Sequence, residues 1–240
     1  MKKRLSLIVI AFLVAIAAGC GPRKPSDLPA DEIIIRAVER MKSLKGFHFL
    51  IDRSGTPAYL DEAEQFAFRR AEGEFVSPDE AIASVRIITP GIVGEIQAVG
   101  IGDRYWETNY LTGNWEELPS GMGFNPAVLF DPKVGLQPIL QSDLSEVTVL
   151  EPVEIEELPD KLLYHLKGKI AGENLYAMSY GLMGPDTMDA EIWIDPNSFD
   201  VIRVLITQLL PGITEPTIWQ VDFWDFDKVV DIEPPPVATP

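Results

Sequence analysis

The chain has 240 residues, room for one large domain or two small ones, and its 20 Lys and Arg against 37 Asp and Glu give a net charge of −17. The first twenty residues hold three cations and no acid, so the remainder carries a net charge of −20. A body this acidic repels nucleic-acid phosphates, which excludes a nucleic-acid binder, and it gains no affinity from an anionic bilayer.

The N-terminus has the pattern of a bacterial targeting segment. A basic start (residues 2–4) precedes an uncharged apolar stretch over residues 5–18, which is too short to span a bilayer comfortably. The stretch ends before Cys20, the only cysteine, so no intrachain disulfide can form. This placement resembles a lipobox, with Ala17 where Leu is usual, and implies a signal peptide over residues 1–19 and lipidation of Cys20. The alternative is a secretory signal without lipidation.

Composition divides the rest of the chain into three parts. Residues 20–30 are proline-rich and without apolar periodicity, and they predict a tether between the membrane and the domain. Residues 31–232 contain the periodic segments and predict a single domain. The Pro-rich residues 233–240 predict a disordered tail.

The predicted domain begins with an amphipathic helix. Between residues 31 and 45, apolar side chains recur every third and fourth position, with acids at the start, Lys at the end and Gly46 directly after. The pattern then changes to the alternation of apolar and polar residues that is typical of strands. In the first strand, Phe47, Phe49 and Ile51 share one face. Further segments of this kind are residues 65–76, 81–88, 95–102, 104–108, 115–118, 147–157, 161–170, 190–194, 201–209 and 217–227.

Short helical segments interrupt the strands at two places. Asn125 and Pro126 predict a helix start, with Asn as the N-cap and Pro in the first turn, followed by short helices over 127–130 and 132–140. Residues 175–183 predict another short helix. About ten strands without a repeated strand–helix–strand rhythm predict an antiparallel sheet and an α+β fold.

Several stretches resemble the LppX/LprAFG lipoprotein family of the LolA-like superfamily, in order and spacing along nearly the whole mature chain. The resemblance implies a curved antiparallel half-barrel of about ten strands, with short helices covering its concave face and lipid acyl chains held on that face. It transfers no catalytic residue. The stretches are residues 41–49, 102–106 with 111–115, 130–136, 192–196 and 222–227.

The strand pattern independently favours an apolar cavity. A sheet rich in Phe, Ile and Val needs a covering layer, and a few short helices leave that cover incomplete. The alternative is that the helices fill the concavity and nothing binds. The interrupting helices are also too apolar for a solvated surface. The candidate cavity residues are Phe47, Phe49, Ile51, Met122, Phe124, Val128, Phe130, Leu136, Ile139, Leu140, Leu182 and Met183.

Signatures of catalysis and metal binding are missing from the sequence. It has two histidines and one cysteine, and it contains no zinc, P-loop or nucleophile-elbow motif. The acids Asp222, Asp225 and Asp227 are interpreted as solvated rather than as a calcium site. We therefore expect no enzyme activity, no metal site and no cofactor.

The sequence predicts an extracytoplasmic lipoprotein that is anchored to a bacterial cell membrane through Cys20 and carries lipid or glycolipid chains. The expected partners are the lipid ligand, that membrane and an envelope transport partner. The alternative is a structural or sensory envelope lipoprotein that acts through protein–protein contacts.

Overall fold

A computed structural model describes residues 25–119 and 125–237. Its first element is the predicted amphipathic helix, α1 (Ala30–Ser43). The helix ends two residues earlier than predicted because Leu44 is already extended, and the Lys45 amide donates a hydrogen bond to Asp227 instead. The side chains that α1 buries are Ile33, Ala37, Val38 and Met41.

Seven strands follow α1, most of them joined by tight turns. Their alternating burial matches the alternation seen in the sequence. They are β1 (Gly46–Gly55), β2 (Ala58–Tyr59), β3 (Ala67–Val76), β4 (Glu80–Thr89), β5 (Ile92–Ile101), β6 (Arg104–Thr108) and β7 (Trp115–Leu118).

The second half of the chain mixes short helices with six strands. A 3₁₀ helix (Pro126–Phe130) starts as predicted, because the Asn125 side chain accepts a hydrogen bond from the Ala127 amide at 2.9 Å. The remaining elements are α2 (Leu136–Ser142), β8 (Leu144–Val149), β9 (Val153–Ile155), β10 (Leu158–Ile170), α3 (Gly172–Met178), β11 (Met188–Ile194), β12 (Val201–Gln208) and β13 (Thr217–Trp224).

The strands form one open antiparallel sheet, which confirms the predicted fold class. Its order is β7-β6-β5-β4-β3-β1-β13-β12-β11-β10-β8, with β2 beside β3 and β9 beside β10. Thirteen strands are present in the described residues, against about ten predicted. One reason is that the predicted strand 147–157 is divided into β8 and β9 around Pro152, which has no N–H for a ladder.

The sheet has two ends that matter for the site. At the near end, β1 begins at Gly46 and β12 begins at Val201; at the far end, β1 finishes at Gly55 and β12 finishes at Gln208. The first described residues lie at the near end, where Ser26 Oγ is 2.8 Å from the Tyr164 hydroxyl. The described part of the predicted tether therefore contacts the sheet.

The helices cover one face of the sheet, which we call the inner face. α1, α2, α3 and the 3₁₀ helix all contribute buried apolar residues to the same core as the inward-facing strand residues. Near the start of β1, five phenylalanine rings fill the space between sheet and helices. Phe130 of the 3₁₀ helix is the centre of this phenylalanine cluster, with ring centroids 4.9–6.1 Å from the other four, which are Phe47, Phe49, Phe75 and Phe223.

The outer face carries both histidines. His48 stacks on Trp224 with ring centroids 5.4 Å apart, and His165 stacks on Trp193 at 4.5 Å. Each imidazole also lies 2.7 Å from a glutamate carboxylate on a neighbouring strand. These contacts give each histidine a structural partner on the outer face, away from the helix-covered core.

We expect Phe130→Ala to destabilise the protein by about 3–5 kcal/mol, because it removes a buried ring that packs against four others. The matched control is Val134→Ala at a neighbouring exposed site, which should change stability by less than about 0.5 kcal/mol. The measurement is urea denaturation of both variants. A loss of less than about 1 kcal/mol for Phe130→Ala would contradict tight packing of the cluster.

Candidate functional site

A small apolar cavity lies between the inner face and helix α3. Its volume is about 50 Å³, far below the roughly 300–1,000 Å³ of a typical small-molecule site. The space is therefore too small for an acyl chain in this conformation. All of its wall residues except Ser179 are apolar, namely Ile51, Phe68, Leu129, Phe130, Leu136, Leu175, Met178, Leu182, Met183, Ile206, Trp219 and Val221.

A larger groove continues from this cavity along strands β3 to β6. Its volume is about 400 Å³, within the range of ligand sites. The cavity and the groove share the wall residues Phe68, Ser179 and Leu182, so the two spaces adjoin. Its other wall residues are Leu60, Val85, Ile87, Ile96, Ala98, Tyr105, Glu107 and Tyr180.

The structure brings five of the predicted cavity residues together around the small cavity. Ile51 comes from β1, Phe130 from the 3₁₀ helix and Leu136 from α2, while Leu182 and Met183 follow α3. These five positions surround a space that is lined almost wholly by apolar side chains.

Other predicted residues lie beside the cavity without lining it. Phe47 and Phe49 are fully buried in the phenylalanine cluster. Ile139 and Leu140 of α2 are buried in the core, and Val128 is half-buried on the 3₁₀ helix. The near end of the inner face is thus filled by protein side chains, and the open space begins at the level of Ile51.

Three predicted site residues fall outside the described part of the chain. Met122 and Phe124 belong to residues 120–124, and Cys20 precedes residue 25. Their roles as cavity residues and as the lipid attachment point stay predictions.

Helix α3 and the segment after it cover one side of the cavity. The helix has seven residues, against the nine predicted for this region, and ends at Met178. Tyr180 then adopts a left-handed backbone with φ of 53°, and Gly181 follows with φ of 85°. A left-handed tyrosine costs about 1–2 kcal/mol, so this cover is held under local strain.

Trp219 lines the cavity only with apolar atoms of its indole ring, because the cavity surface is wholly apolar. Its indole Nε1 is buried away from that surface and donates no hydrogen bond to any described residue. A buried donor that lacks an acceptor costs about 1–3 kcal/mol.

A second groove on the outer face has a different character. Its volume is about 580 Å³, but ion pairs lie along its wall, with Arg203 bonded to Asp222 and Lys161 to Asp195. Burial raises the pKa of Asp195, but hydrogen bonds from Lys161 and the Asn197 amide outweigh it and hold the pKa below its usual value. Fixed charges would lose water contacts if an acyl chain entered, so this groove suits a lipid chain poorly.

Several cavity residues were missed in the sequence. Trp219 and Val221 on β13 and Ile206 on β12 point inward with the regular alternation of their strands. That alternation was visible, but it does not show which inward residues lie under α3. Leu175 and Met178 were inside the predicted helix 175–183 without being named as cavity residues.

Within residues 25–119 and 125–237, no cluster of three or more His, Cys, Asp and Glu is arranged to hold a metal ion. The acids Asp222, Asp225 and Asp227 instead pair with Arg203, Lys228 and Arg40 respectively. Among the same described residues, no helix has the length and apolar character needed to cross a bilayer.

Comparison with known proteins assigns the family. Residues 29–232 match the family model described as LppX_LprAFG lipoprotein. The chain belongs to this family. A curated LppX_LprAFG relative is the lipoarabinomannan carrier protein LprG of Mycolicibacterium hassiacum, which is 26% identical over 230 residues, covering 89% of this chain and 92% of the relative.

Solved structures of family members share the fold. LprF from Mycobacterium bovis has a TM-score of 0.65 at 14% identity, and the match covers 90% of this chain and all (100%) of LprF. The lipoprotein LppX from Mycobacterium tuberculosis has a TM-score of 0.58 at 15% identity, over 85% of this chain and 97% of LppX. The open antiparallel sheet with its short covering helices is thus the fold of LppX_LprAFG lipoproteins.

Proposed function

We propose that this lipoprotein carries lipid or glycolipid acyl chains in the joined cavity and groove on the inner face of its sheet. The observation that carries the proposal is a groove of about 400 Å³, lined mainly by apolar side chains, that adjoins an apolar cavity and shares three wall residues with it. Similarity to a lipoarabinomannan carrier supports a glycolipid as one member of the ligand class. We propose no catalytic step.

Burial of acyl methylenes would drive uptake. Each methylene that leaves water contributes about 0.8 kcal/mol, so burial of a chain of about a dozen carbons contributes on the order of 10 kcal/mol before the cost of ordering the chain. Ser179 is the one polar residue of the small cavity, and Glu107, the one charged residue that lines the groove, accepts a hydrogen bond from the Tyr105 hydroxyl. Carriage also requires release, and therefore a cover that can move.

We infer that the segment from α3 to Met183, which covers the cavity, is the part that moves to admit and release a chain. It presents Met178, Leu182 and Met183 to the cavity, and methionine side chains adapt well to irregular apolar partners. Displacement of Leu182 would merge cavity and groove, because this residue lines both. The left-handed backbone at Tyr180 lowers the cost of leaving the closed conformation.

Native mass spectrometry of detergent-free protein tests the carrier function. We expect co-purified acyl lipid in the parent protein, and we expect Ile96→Trp to lower the retained lipid at least about fivefold, because the larger ring fills the groove. Its thermal midpoint should change little, since the ring enters empty space rather than a packed core.

Ile88→Trp is the matched control, because Ile88 is exposed and does not line the groove. It should retain lipid as the parent does. A parent protein without lipid, combined with a loss of about 1–3 kcal/mol in Ile96→Trp, would favour the structural or sensory alternative.

We also propose that Cys20 carries the membrane anchor and places the domain on the extracytoplasmic side of a bacterial membrane. Cells fed a tagged palmitate should label the parent protein, and Cys20→Ala should abolish the label, because the chain has no other cysteine to modify. Ser26→Ala, near the same end of the chain, should keep it. A Cys20→Ala protein that still carries label would contradict this anchor.

A further inference from the structure

Exposed large apolar side chains collect at the far end of the sheet. Six of them lie on or next to four separate turns and have 43–74% of their surface exposed. We call this set the apolar rim. It consists of Leu60, Ile92, Val93, Leu111, Leu209 and Ile213.

Strand register places these turns at the same end. Thr89 pairs with Ile92 across the β4–β5 turn, and Gln208 pairs with Thr217 across the β12–β13 turn. Thr217 also pairs with Gly55 at the end of β1. A ring contact between Phe66 and Tyr110, at 5.5 Å, joins the β6–β7 turn to the loop before β3. The four turns that carry the rim therefore lie at the same end of the sheet.

The rim is continuous with the groove proposed to hold acyl chains. Leu60 belongs to both, since it is exposed on the rim and lines the groove. Tyr180, on the cover after α3, is also half-exposed at the groove wall. An acyl chain that leaves the groove at this end would pass directly over the rim.

The loops that carry the apolar rim contain no cation. The turns over residues 90–94 and 109–114 contain no charged residue, and the loop over residues 209–216 contains one acid, Glu215, and no cation. The fourth loop, which carries Leu60, has the acids Asp61, Glu62 and Glu64 and no cation. Such a surface has no electrostatic attraction to an anionic bilayer, and any contact with lipid must be apolar.

We propose that the apolar rim docks onto a lipid bilayer of low surface charge, so that acyl chains move between bilayer and groove without crossing water. The proposal rests on the carrier function above. Aliphatic residues on separate turns around a groove mouth suit insertion among lipid chains, whereas protein interfaces concentrate their binding energy in Trp, Tyr and Arg on well-packed surfaces. Tyr59 and Tyr110, half-exposed beside the rim, suit the headgroup level.

The position of the rim also fits this role. The first described residues contact Tyr164 at the near end, and ten-residue β1 separates the two ends of the sheet by roughly 30 Å. The rim thus faces away from the place where the N-terminal segment joins the domain. This arrangement leaves the groove mouth available to a bilayer while the N-terminal segment is held elsewhere.

An environment-sensitive fluorescent amino acid in the full chain tests the docking. The chain is anchored in one set of phosphatidylcholine vesicles through its N-terminal segment, protein-free phosphatidylcholine vesicles are added, and the fluorophore is at the position of Leu111 or of Ile92. We expect a blue-shifted emission that brominated lipid in the added vesicles quenches, and a weaker response when the added vesicles contain phosphatidylglycerol. Matched controls are the positions of Ile35 and Val229, which are exposed apolar residues outside the rim and should report water.

Rim and control positions that report the same aqueous emission would overturn the proposal. If the rim reports water and Leu111→Glu nevertheless impairs lipid delivery in cells, the rim would bind a protein partner rather than a bilayer, and the docking proposal would be wrong. Native mass spectrometry separates this inference from the carrier function, because Leu111→Glu should keep its bound lipid and lose about tenfold in the rate of lipid uptake from vesicles. If the parent protein retains lipid but its rim positions report water, the bilayer-docking proposal is wrong and the carrier function stands. If the rim positions report lipid contact but no lipid co-purifies, the carrier function is wrong.

Discussion

The structure depends on one constraint: a wide open sheet has an apolar face that must be covered, and the described chain covers it with only four short helical segments. At the near end, the cover is complete because Phe130 inserts among four other phenylalanines from the sheet. Towards the far end, the seven-residue helix α3 is the main cover. A tightly packed region and an adaptable region therefore adjoin within one core.

This asymmetry gives each part a separate role. The phenylalanine cluster and α1 pack tightly against the sheet, which in the proposed carrier would keep the groove walls in place during movement of the cover. The cover itself is built from residues that tolerate rearrangement, with Met178 and Met183 facing the cavity and a left-handed backbone at Tyr180. A carrier needs this combination, because a rigid core alone could not admit a chain and a loose core alone could not retain one.

Local sequence signals predicted the fold better than the site. Helix α1, the Asn125 cap and the strand alternation depend on neighbouring residues, and the structure has them within a few positions of the prediction. The sequence alternation also indicated that Phe47 and Phe49 point inward. They lie in packed core because the ring of Phe130, about eighty residues later in the chain, packs against both. Which inward residues face open space depends on where the helices pack, and no local pattern contains that information.

Photocrosslinking tests the central claim most directly. A lipid whose acyl chain carries a diazirine is loaded into the full-length protein, irradiated, and mapped by peptide mass spectrometry. Crosslinks should fall on residues 178–183, on Phe68 and on Trp219, because these line the joined cavity and groove. Crosslinks concentrated on Ile155, Ile202 and other walls of the outer groove would contradict the account, since the acyl chain would then bind on the opposite face of the sheet.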